Sequence, residues 1–206
     1  IGRITYNYAE KYLAEFACRY DGSYRYAPGK RWAFFPSASF GWRISEEDFI
    51  KDNLDFIDNL KLRFSLGRSG QDAGDPFQYI EAYTLNNGGS VFTPNNYVNG
   101  VASPAMINPN LTWVKVDMYN LGLDFSIFNH LLDIEFDIYQ RERKGLLADR
   151  YGSLPNTFGS KLPQENLNGD RTRGIEFTLT HSNQIGEFYY SISGNLNLSR
   201  TQNRYI

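Results

Sequence analysis

Apolar and polar residues alternate one for one in about eight separate segments, and no other pattern in this chain is as persistent. That period belongs to β-strands covered on one face, because successive side chains point to opposite sides of a pleated sheet. In 11–21 the apolar set is Tyr12, Ala14, Phe16, Cys18 and Tyr20, with Glu15 and Arg19 opposite. In 32–45 it is Trp32, Phe34, Pro36, Ala38, Phe40, Trp42 and Ile44. Leu60, Leu62, Phe64 and Leu66 alternate with Lys61, Arg63 and Ser65, and Tyr119, Leu121, Leu123, Phe125 and Ile127 with Asn120, Asp124 and Ser126. The last three segments are the cleanest. Leu132, Ile134, Phe136 and Ile138 oppose Asp133, Glu135 and Asp137; Ile175, Phe177 and Leu179 oppose Glu176, Thr178 and Thr180; Phe188, Tyr190, Ile192, Leu196 and Leu198 oppose Tyr189, Ser191, Ser193, Asn195 and Asn197. A slip of one residue would exchange each apolar set for polar or charged groups, so register is strongly specified.

The joins alternate in length. Short turns are expected near 9–11, 128–131 and 182–186, and long connections at 22–31, 68–111 and 146–171. One segment, 46–59, reads as a short helix: Ser45 followed by Asp48 resembles a capping box, with Phe49, Ile50, Leu54 and Ile57 able to share a buried side. Short turns at one end and long loops at the other are the layout of an outer-membrane β-barrel, and a soluble sandwich can also alternate. Strands of about ten residues and aromatics near their ends (Tyr12, Tyr20, Trp32, Trp42, Trp113, Tyr119, Tyr139, Phe188) favour the barrel. The alternation is already under way at Ile4, Tyr6 and Tyr8 and still running at Leu196 and Leu198, so the chain reads as a piece of a longer one, with its targeting signal elsewhere.

Composition removes other classes. The formal net charge of -2 offers no clustered basic surface for nucleic acid. A single cysteine, Cys18, permits no internal disulfide and no cysteine-based zinc site. No run reaches the ~18 apolar residues of a transmembrane helix.

Specific strings then resemble a known family. Residues 19–49, RYDGSYRYAPGKRWAFFPSASFGWRISEEDF, look like the barrel signature of SusC/RagA-type TonB-dependent outer-membrane transporters, and so do 60–72, 108–147 and 171–181. Tyr24 and Tyr26 depart from the usual Ser and Phe of the first loop, Val114 stands where Glu is frequent, and 165–169 match only loosely. The resemblance implies an all-β chain: about eight antiparallel strands of a plugged transmembrane barrel of about 22 strands, with long extracellular loops. All of residues 1–206 would belong to that barrel domain, with plug and signal peptide outside this chain. It further implies outer-membrane location, import of a glycan or peptide driven through TonB, a SusD-like surface lipoprotein as lid, surrounding outer-membrane lipid and no cofactor. The other readings are a stand-alone small barrel with a structural or adhesive role and a soluble glycan-binding β-sandwich.

Candidate residues divide by face. Asp133, Glu135, Asp137 and Glu176 are expected to face a polar lumen, partnered by water or by Arg63 or Arg173. Carboxylates two apart on a strand are ~6.6 Å apart, a spacing glycosidases can use. No acid–base asymmetry is legible among them, so no catalytic residue and no enzyme are expected. His130 and His181 read as solvated turn residues rather than metal ligands, and Cys18 as a small hydrophobe on the apolar face. Gly67, Gly70 and Gly74 lack the strand–loop–helix context of a phosphate loop. The long loop 71–110 is where function is expected, through Tyr79, Tyr83, Phe92 and Tyr97, which suit a sugar ring or a protein lid unless they pack the loop on itself.

Overall fold

The computed structural model describes the chain except residues 95, 103–105, 151–159, 161 and 206, and describes the backbone alone at 86–88, 92, 102 and 205. The strands in chain order are β1 (Gly2–Tyr8), β2 (Tyr12–Gly22), β3 (Trp32–Arg43), β4 (Ile57–Gln71), β5 (Thr84–Thr93), β6 (Asn96–Ala102), β7 (Val114–Ile127), β8 (Leu132–Ala148), β9 (Glu165–Ile185) and β10 (Phe188–Tyr205). Eight of them form one antiparallel sheet in the order β1-β2-β3-β4-β7-β8-β9-β10, and β5 and β6 form a separate hairpin. β1 and β10 are the sheet's two edges, so these strands do not close on themselves as a small stand-alone barrel would.

Register sorts the two faces. Residues directly opposite one another run Tyr6, Ala14, Phe40, Phe64, Leu121, Ile138, Ile175 and Leu198, an unbroken apolar row across all eight strands. One residue along, on the other face, the row is Asn7, Leu13, Gly41, Arg63, Gly122, Asp137, Glu176 and Asn197. Among the described residues nothing covers the apolar face: Leu121 is 45% exposed and Ile138 46%. A sandwich buries such a face under a second sheet, an arrangement the described strands do not show.

The apolar belt slants across the rows. On β2 it runs from Tyr12 to Tyr20 and on β10 from Tyr190 to Leu198, yet the row holding Tyr12 ends at Leu196, about six residues above Tyr190. Six strand-to-strand steps therefore shift the belt about one residue each. At ~3.3 Å per residue and ~4.8 Å between strands this is a tilt of ~35°, within the range of membrane barrels. Tyr12 to Tyr20 along such a strand spans ~22 Å in height, against the ~25 Å of an outer-membrane apolar band. Stacked aromatics edge it: Tyr8, Tyr12 and Trp42 at one end (centroids 6.5 and 6.3 Å), Tyr20 and Trp32 at the other (5.2 Å).

The short turns gather at one end. Ala9 and Glu10, and Phe128, Asn129 and His130, take positive φ, as tight hairpin turns matching the sheet's twist require. The 44–56 segment joins them, with Phe56 stacked on Phe128 at 5.7 Å and Lys11 Nζ 3.1 Å from Glu47. Its helix differs from expectation. A 3-10 turn, Ile44–Glu46, precedes α1, which is only Asp48–Lys51; Ser45 makes no cap and is itself buried, and Phe49 is 59% exposed. The expected capping box fails because Glu47, not Ser45, stands at the helix start.

Three further expectations are corrected. Loop 71–110, read as strandless, contains the β5–β6 hairpin. Trp113 lies buried in a loop cluster rather than in a girdle. Tyr139 sits on the polar face, its ring lying across Gly174.

Candidate functional site

The polar face is organised by ion pairs that bridge strands. Arg63 on β4 donates to Asp124 (2.7 Å) on β7 and to Asp137 (3.0 Å) on β8. It spans β7 because the intervening residue is Gly122, where a Cβ would lie 2.5 Å from Asp137 Oδ1 and 2.8 Å from the guanidinium carbon. Asn197 donates to Glu176 at 2.6 Å. Asp133 is 2.9 Å from His130 Nδ1 in the turn, and this contact holds the His130 pKa above its usual value. Glu135 has Asp124 and Thr178 as cross-strand neighbours. The four carboxylates thus share one face over two adjacent strands, each among polar groups.

Two side chains lie elsewhere than expected. Arg173 is not on the carboxylate face: it shares the parity of Ile175 and Phe177 and donates to Gln140 at 2.7 Å. His181 is not in a turn but inside β9, opposite Leu132 and Ile192, with a ring nitrogen 3.1 Å from the Tyr190 hydroxyl. The β9–β10 turn is tighter than expected and leaves His181 within the ladder.

At the long-loop end the connections are tied into one structure. Tyr26, Phe35, Leu111 and Trp113 form the buried cluster, with Ala33 and Leu147 against it. Trp113 Nε1 donates to the Arg31 carbonyl (2.9 Å), and Tyr26 Oη accepts from the Ala73 amide (3.0 Å). Burial pushes the Tyr26 hydroxyl's pKa up. Phe35 fits because its ring lies against Gly70; any Cβ there would collide with the ring. Asn166 closes the third connection, accepting from the Thr112 amide and donating to the Thr112 and Gly145 carbonyls. Arg25 donates to the Gly74 carbonyl and pairs with Asp72 at 3.2 Å.

Three aromatics meet in tilted contacts at the same end, Tyr24 and Phe77 exposed and Tyr79 half-buried. Tyr24, Phe77 and Tyr79 follow one another at 5.7 and 6.3 Å, and Tyr79 accepts from Arg31 at 3.1 Å. Of the loop aromatics singled out by sequence, Tyr79 alone joins them among those whose side chains are described. Tyr83 is 63% exposed, and Tyr97, 59% exposed on β6, lays its ring over Gly89. The Phe92 side chain lies outside the described residues. Tyr24 and Phe77 were missed, because contact between two loops about fifty residues apart leaves no local pattern.

The sequence profile described as "TonB dependent receptor-like, beta-barrel" matches residues 2–205. The TonB-dependent receptor SusC of Bacteroides thetaiotaomicron is 34% identical over 179 residues, covering 86% of this chain and 18% of its own. TonB-dependent receptor P3 of Formosa agariphila is 32% identical over 207 residues, 100% of this chain and 20% of its own. The chain thus spans about a fifth of the length of the curated relatives it matches. Among solved structures, the RagAB peptide importer in its closed-closed state superposes with a TM-score of 0.83 at 24% identity, over 99% of this chain and 22% of that one.

Proposed function

Because the chain belongs to the TonB-dependent receptor β-barrel family, one of receptors and transporters rather than of enzymes, we propose that it is a section of the wall of an outer-membrane importer. The apolar belt faces lipid, and the face bearing Asp133, Glu135, Asp137 and Glu176 lines the lumen. The long-loop end, with Tyr24, Phe77 and Tyr79 and the β5–β6 hairpin, stands at the outer mouth. The slanted belt carries this reading, since ~35° of tilt and ~22 Å of height are what a lipid layer demands of a barrel wall.

The cargo is a glycan or a peptide, engaged by Tyr24, Phe77 and Tyr79 together with the amide-rich hairpin. A SusD-like lipoprotein covers the same mouth, and TonB acts through parts of the protein outside this chain. Relatives support the reading: one is named SusC, and the structural neighbour is a peptide importer. The test is to replace 84–102 by a short Gly-Ser linker in the whole transporter. Heat-modifiable barrel assembly should persist while uptake or lid docking is lost; unchanged uptake and docking would remove the hairpin from the account.

A further inference from the structure

We infer that the outward face carries a binding site for an anionic, phosphate-bearing lipid of the outer leaflet, on Arg173 and Arg200 above the apolar groove beneath them. The inference rests on the lipid-facing assignment of that face. Along it the belt gives way to charged and polar side chains at a sharp frontier: Leu66 is followed by Arg68, Tyr119 by Asp117, Ile138 by Gln140, Ile175 by Arg173 and Leu198 by Arg200, each two residues nearer the long-loop end. Above it the two carboxylates are occupied. Asp117 holds Arg68 (2.6 Å) and Lys144 (3.2 Å), and Glu142 holds Arg171 (2.8 Å), with Lys144 and Arg204 at 3.4 and 3.5 Å.

Arg173 and Arg200 are left without a carboxylate among the described residues, and they are direct cross-strand partners. Like charges placed opposite one another on neighbouring strands repel, and a phosphate between two guanidinium groups reverses the sign through bidentate, charge-assisted hydrogen bonds. The two arginines rim a groove of about 590 Å³ whose apolar side, beneath them, is formed by Phe64, Leu121, Ile138, Ile175 and Leu198. A free phosphate would use the arginines alone; a phospholipid uses both arginines and groove, headgroup above and acyl chain along the apolar row. Charge above and hydrocarbon below, on the face that meets the membrane, select the lipid.

The test uses the whole transporter in dodecyl maltoside, titrated with phosphatidic acid, with phosphatidylcholine of the same chains and with inorganic phosphate, and read by native mass spectrometry. Phosphatidic acid should be retained at least about tenfold more tightly than phosphatidylcholine. The preference should vanish in the double variant Arg173→Gln, Arg200→Gln and survive Arg63→Gln on the other face. Equal retention of the two lipids, a preference that outlasts the double variant, or inorganic phosphate bound as tightly as the lipid would each overturn the site. A separate readout isolates the underlying assignment: a fluorophore at Ile175→Cys should be quenched by nitroxide-labelled lipid, and one at Glu176→Cys should not. Loss of that contrast overturns both readings, whereas the contrast without the lipid preference overturns the site alone.

Discussion

Arg63 reaches across an entire strand to Asp137, 3.0 Å away, because Gly122 between them presents no side chain. Replacing Gly122 with Ala should part the pair while leaving the backbone ladder intact. Both groups remain partly open to solvent, which limits the loss to about 1 kcal/mol. In urea unfolding, Gly122→Ala and Asp137→Asn should cost similar amounts, and the double variant no more than the larger; additive losses would show that glycine and ion pair are unconnected.

Neighbouring residues of β9 should respond oppositely to the same charge. Phe177 lies mid-belt, opposite Phe136 and Leu196, and Phe177→Arg should destabilise the barrel by about 2–4 kcal/mol. Thr178 lies opposite Glu135 and Asn195, so Thr178→Arg finds a carboxylate and should be near neutral. Equilibrium folding into lipid vesicles reads both.

At the short-turn end Glu47 accepts from Trp42 Nε1 (3.0 Å), Tyr12 Oη (2.8 Å) and Lys11 Nζ (3.1 Å), and these bonds, the one from Trp42 foremost, hold its pKa below the usual carboxylate range. With the folded value depressed, its contribution is complete above the unfolded pKa, near 4.5, and is lost as pH falls through the folded value. Trp42 fluorescence in wild type should therefore titrate only in acid, below that unfolded value. Glu47→Gln should remove the titration; its persistence would assign it to another group.

The loop cluster should yield separately from the wall. Trp113→Ala removes the centre of the Tyr26, Phe35 and Leu111 packing and should speed amide exchange in 23–31 and 72–83. The ladder between β8 and β9 should exchange as before. Equal acceleration in both would mean that wall and mouth unfold as one unit.

The sequence showed the wall well and the mouth poorly, for physical reasons. Alternation is legible where one face is apolar, so β2, β3 and the belt portions of β7–β10 were evident. Above the frontier the apolar alternation stops, and the hydrogen-bond ladder runs on, to Ala148 on β8 and from Glu165 on β9, with no hydrophobic period to mark it. Arg173 was misplaced although its parity with Ile175 fixes its face. The β5–β6 hairpin stayed hidden because its described side chains are almost all exposed. Tyr79 was found by its chemistry, whereas the contact of its neighbour Phe77 with Tyr24 depends on packing between connections that no short window contains.

The central claim is that the chain crosses the outer membrane with its long connections outside and its tight turns inside. Impermeant maleimide labelling of intact cells tests it most directly, in the whole protein carrying Cys18→Ser. Lys30→Cys, exposed in the 23–31 connection, should react on intact cells, and His130→Cys, in the β7–β8 turn, should react only after the outer membrane is opened. Labelling of His130→Cys alone on intact cells would invert the topology, and equal labelling of both would contradict a membrane-spanning wall altogether.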